Sequence, residues 1–72
     1  MTDLERKMSS VIRGLGVLDT LTQAVTDDLI NTKNNPNYLD LYKAEKDLED
    51  ISERCYRLKK EILEMQDLIE EE

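Results

Sequence analysis

A single proline divides this chain into two stretches that carry the same seven-residue pattern. Before it, side chains recur at alternating steps of four and three through Leu4, Met8, Val11, Leu15, Leu18, Thr22, Val25 and Leu29, with Thr22 the one polar member. After it, Leu41, Ala44, Leu48, Ile51, Cys55, Leu58, Ile62, Met65 and Ile69 repeat the spacing. Such a period marks a helix with an apolar seam. Lys33-Asn34-Asn35-Pro36-Asn37 lies between the two series and is the only clear helix breaker. Doubling the chain back at Pro36 pairs Leu4 with Ile69, Met8 with Met65, Val11 with Ile62 and Leu15 with Leu58. The same register pairs Leu18 with Cys55, Thr22 with Ile51, Val25 with Leu48 and Leu29 with Ala44. Every layer then joins a heptad a position to a d position, as an antiparallel coiled coil requires. The pattern predicts an all-α fold, a two-helix antiparallel coiled-coil hairpin forming one domain. Helix one is expected over about 3–32, the turn over 33–37, helix two over about 38–68 and an acidic end over 69–72.

A hairpin of this size needs help. Seventy-two residues bury only about 60% of their unfolded surface, and two helices offer one seam with no second layer. The fold is therefore expected to pack against a partner or a second copy of itself. The formal charge of −7 argues against nucleic acid, because phosphate contacts need clustered Lys and Arg. No apolar run reaches the roughly 18 residues of a membrane span, and no signal peptide opens the chain. Cys55 is the single cysteine. It falls on the seam, where a reduced core thiol suits a reducing compartment. The expectation is a soluble cytosolic protein.

Local signals set the helix ends. Thr2 can cap the first free amides while Glu5, three residues on, reaches back, and Asp3 and Glu5 complement the helix dipole. Asn34 is a candidate for the left-handed residue that closes helix one. Asn35 before Pro36 is one candidate cap for helix two, and Asn37, with Asp40 three residues later, is the other. Helix two carries charge pairs at four-residue spacing: Lys43/Asp47, Lys46/Asp50, Asp50/Arg54, Glu53/Arg57 and Lys60/Glu64. Gly14 and Gly16 bracket Leu15 within helix one, each costing about 0.5–1 kcal/mol relative to alanine. From Glu61 to Glu72 there are six acidic residues and no basic ones. These oppose the dipole at the helix end, so the last turn is expected to fray.

Sorting the remaining side chains by heptad position isolates one face. In an antiparallel pair the e and b positions of both helices share a side. There they collect Ile12, Ile30, Tyr38, Tyr42, Tyr56 and Leu63, so all three tyrosines fall together. Globular helices often carry apolar stripes wider than a and d, but tyrosine is enriched in protein contacts. These six residues are the candidate partner-binding set. Catalysis finds little footing. There is no histidine, the lone cysteine cannot build a zinc site, and no phosphate-cradling loop is present. No enzyme activity, cofactor or metal is expected.

Two local patterns carry a family resemblance. One is the opening Met1-Thr2-x-Leu4-Glu5. The other is the pair Tyr38 and Tyr42, one turn apart, followed by Glu45-x-x-Leu48-Glu49-x-Ile51. With the size and hairpin architecture, they make the chain resemble the small co-chaperones of type III secretion needle subunits, the YscE/PscE/EscE type. The resemblance implies a bacterial cytoplasmic protein that stabilises a chaperone built of helical repeats. Together the two would keep the needle subunit soluble and monomeric before export. It implies docking by Ile12, Tyr42, Tyr56 and Leu63, with Tyr38 and Ile30 at the rim. Two other readings compete: a homodimeric four-helix bundle closed through the e/b faces, and a small acidic inhibitor of a DNA-binding protein.

Overall fold

The computed structural model describes residues 2–71. Met1 and Glu72, the outermost residues of the expected cap motif and acidic end, lie outside the described residues. Two helices follow one another, α1 over Asp3–Asn34 and α2 over Tyr38–Glu71, and they pack along their length as a hairpin.

The helix start is the one local signals dictate. Thr2 is extended and its Oγ1 accepts a hydrogen bond from the Glu5 amide at 3.2 Å. Asp3 pairs with Arg6 at 2.7 Å. The other end of α1 runs past the expected stop. Asn34 is helical, and no described residue, glycine included, has a positive φ. The stop is Asn35, at φ −149° and ψ 89°, whose amide still donates to the Asn31 carbonyl at 2.8 Å. A residue before proline is driven out of the helical region by the pyrrolidine ring, so Pro36 ends α1 through Asn35. Asn37, not Asn35, caps α2, since its Oδ1 accepts from the Leu39 amide at 2.8 Å. The backbone of α2 then stays helical to Glu71, through the turn expected to fray.

Seam geometry departs from the a/d expectation. Gly14 lies against Leu58, close enough that a Cβ built on it would sit 2.7 Å from Leu58 Cδ2. Extending that register matches Leu4 with Leu68, Val11 with Glu61, Leu18 with Arg54, Leu21 with Ile51, Val25 with Asp47 and Asp28 with Ala44. These are the buried or half-buried positions of the two helices. They are d and g positions, so each helix is turned by about one residue from the a/d arrangement. Thr22 points out to solvent, its hydroxyl donating to the Leu18 carbonyl at 2.8 Å, and Leu21 takes its place. Gly14 has no side chain to hold the helices apart, and the long stems of Arg54 and Glu61 cover the seam from α2. Cys55 is exposed, a correction to the expected core thiol, because the rotation carries a positions out of the seam.

The hairpin measures 55 × 17 × 12 Å, one helix thick. Among the described residues only Val11, Val25 and Ala44, at 6%, 7% and 4% exposure, are buried apolar side chains. A single layer cannot enclose more.

Candidate interaction surface

Rotation of the seam leaves the a positions of both helices on one open face. Met8, Leu15 and Leu29 from α1 and Leu41, Leu48, Ile62 and Ile69 from α2 are each between 43% and 57% exposed. That both stripes face the same way is shown by a groove of about 530 Å³, in which Leu29 of α1 lies with Leu41, Ala44 and Leu48 of α2. Glu45, Glu49 and Ser52 form its edge. Covering seven half-exposed apolar side chains is worth roughly 5–10 kcal/mol, taking about 1.5–3 kcal/mol for the full burial of each. That equals the whole stability of many small domains.

The six side chains expected to bind a partner are all exposed, and they form the flanks of this face rather than its centre. Ile12 and Ile30 border the α1 stripe. Tyr38 and Tyr42 stack on each other, ring centroids 6.4 Å apart. Lys46 lies over the Tyr42 ring at 5.4 Å and Lys60 over Tyr56 at 5.2 Å. Cation–π contacts of this kind hold the tyrosines at the outer edge, with the lysines as the polar border. Tyr56 and Leu63 continue that edge along α2. The central stripe of a residues was missed because the heptad reading placed it inside the seam. The signal for the alternative was Leu21 beside polar Thr22.

The opposite face is charged along α2 but mixed along α1, where Val17 is 42% exposed. Ser10, Gly14, Arg54, Arg57, Leu58 and Glu61 line a shallow depression of about 160 Å³. Among the described residues Glu61 Oε2, buried there, finds no hydrogen-bond partner. Arg54 pairs with Asp50 at 3.1 Å and Arg57 with Glu53, as expected from their spacing. Lys46 pairs instead with Glu49. Glu64 pairs across the seam with Lys7 at 2.6 Å rather than with Lys60. Hydrogen bonding to Lys7 holds the Glu64 carboxyl below its ordinary pKa, and the same bond raises Lys7 above its own.

Together these features define a class: a helical-hairpin module with one mainly apolar face and an opposite face charged on α2 and mixed on α1. No family model, curated protein or solved structure matches this chain. Among the described residues no helix is long and apolar enough to cross a membrane.

Proposed function

We propose that this chain is a non-catalytic binding module whose open face covers the apolar side of a partner helix. In its specific form it is a bacterial cytoplasmic co-chaperone. There it stabilises a helical-repeat chaperone and helps to keep a needle subunit of a type III secretion system monomeric before export. The observation that carries this reading is the two stripes of half-exposed a residues on one face, interrupted by Thr22 on α1 and Cys55 on α2. Exposed apolar surface of that extent, rimmed by charge, is characteristic of protein contacts, and amphipathic helices dock into such grooves through their own apolar stripes. Helical-repeat proteins need capped ends, and a flat hairpin supplies a cap whose outer side is charged along α2. Tyr42 and Tyr56 act as anchors at the edge, Ile12 and Leu63 beside the stripe, and Tyr38 and Ile30 at the rim.

Co-expression with the helical-repeat chaperone and needle subunit of the same genome tests the proposal. The three proteins should purify together, and Leu15→Asp with Leu48→Asp should release this chain while its far-ultraviolet circular dichroism stays helical. Tyr42→Ala with Tyr56→Ala should weaken the complex by a smaller amount. Retention of the Leu15/Leu48 double variant in the complex would overturn the assignment of this face.

A further inference from the structure

We propose that, without another partner, the open face closes on a second copy of this chain about a twofold axis perpendicular to the helices, with α1 on its own copy and α2 on its own copy. The inference rests on the open face being a docking surface and adds the geometry of its self-association.

Two observations point to a second copy. The first is area. A compact monomer of 8.4 kDa exposes about 4,600 Å² by the usual scaling with mass, whereas this hairpin exposes 5760 Å². The excess, about 1,100 Å², exceeds the roughly 800 Å² each partner contributes to a standard interface. The second is charge. On α1 the e positions beside the open stripe are Glu5, Ile12, Asp19, Thr26 and Lys33; on α2 they are Tyr38, Glu45, Ser52, Lys59 and Gln66. Glu5 and Lys33 are equidistant from Asp19. Glu45 and Lys59 are equidistant from Ser52. In the Gly14–Leu58 register, Asp19 and Ser52 lie within about one residue, or 1.5 Å, of the same height.

One axis through that level therefore serves both helices. It sets Glu5 against Lys33 of the copy and Glu45 against Lys59 of the copy, each contact occurring twice. It also brings the Met8 level against Leu29 and the Leu41 level against Ile62. The competing twofold, parallel to the helices, lays α1 on α2 of the copy. That arrangement sets Glu5 against Gln66, Ile12 against Lys59, Thr26 against Glu45 and Lys33 against Tyr38, with no opposite charges meeting. Charge thus selects the perpendicular axis. Its one unfavourable contact is Asp19 against its own copy.

Sedimentation equilibrium of the isolated chain should give a concentration-dependent mass approaching twice the monomer's. A chain that stays monomeric throughout the micromolar range overturns the dimer, while leaving co-purification with other partners as a separate test of the docking face. Ser52→Cys on a Cys55→Ser background should cross-link to itself with a short bis-maleimide, and Glu45→Cys on that background should not. The reverse pattern, or no cross-link in a dimer, refutes the axis. Glu45→Lys should weaken the dimer roughly tenfold and Glu45→Lys with Lys59→Glu should restore it. A swap variant as weak as the single one would exclude the pairing. Asp19→Asn should tighten the dimer about threefold, and weakening would count against the axis position.

Discussion

Gly14 and Gly16 sit two residues apart in the same helix, and the rotated seam gives them opposite responses to one added methyl. Alanine is favoured over glycine in a helix interior by about 0.8–1 kcal/mol. A Cβ at Gly16 meets nothing within 4 Å, so Gly16→Ala keeps that whole gain. A Cβ at Gly14 falls 2.7 Å from Leu58 Cδ2 and 3.5 Å from Cδ1. Leu58 must swing aside, at a cost of roughly 0.5–1.5 kcal/mol for a displaced rotamer. Gly14→Ala is therefore close to neutral. For a domain of this size, 1 kcal/mol moves Tm by about 4–8 °C. Thermal unfolding followed by circular dichroism, at one low protein concentration, should show Gly16→Ala about 4–6 °C above the parent and Gly14→Ala within about 2 °C of it. Gly14→Val, which forces more volume against Leu58, should fall below the parent by 1–3 kcal/mol, the usual cost of overpacking. Equal gains from the two alanine variants would refute the d/g seam. They would mean that Gly14 faces solvent and that Leu15 occupies the contact.

Three further outcomes follow from contacts across or beside the seam. Glu64 has its folded pKa below the ordinary 4.5, so its stabilising share is full above that pH and fades as acid titrates the folded carboxylate. Lys7, raised above 10.5, contributes fully below that value and loses its share in stronger base. The Tm difference between the parent and Glu64→Gln should accordingly be largest between these limits and shrink below pH 4. A difference that grows in acid would contradict the pairing. Asn37→Ala should cost about 0.5–2 kcal/mol through loss of the α2 cap, whereas Asn35→Ala should cost clearly less in the same denaturant titration. Glu61→Leu should raise stability by about 1 kcal/mol in that titration, because it removes a buried carboxylate oxygen left without a partner.

What the sequence made legible was local. Thr2 and Asn37 act through amides two or three residues away, and Pro36 acts on its immediate neighbour, so the hairpin and its turn could be read without knowing what lay across from them. Asn34 was misjudged because the proline constraint on Asn35 stops the helix without a left-handed residue. Rotation of the seam is a property of two helices at once. Whether Leu15 or Gly14 faces α2 depends on how closely Leu58 approaches, and a heptad count on one strand of sequence carries no such information. The tyrosine-bearing flank was visible because e and b positions stay outside the seam in either rotation. The central stripe was hidden, since in an a/d hairpin Leu15, Leu48 and Ile62 would have been core.

A body 12 Å thick has two surfaces and almost no interior. The seam encloses only Val11, Val25 and Ala44 among the described apolar side chains, while Leu15 and Leu48 stay about half exposed on the open face. Stability then becomes a matter of mass action. Anything that binds the open face adds RT ln(1 + [L]/Kd) to the folding free energy, so the folded fraction of this chain would rise with the concentration of that ligand.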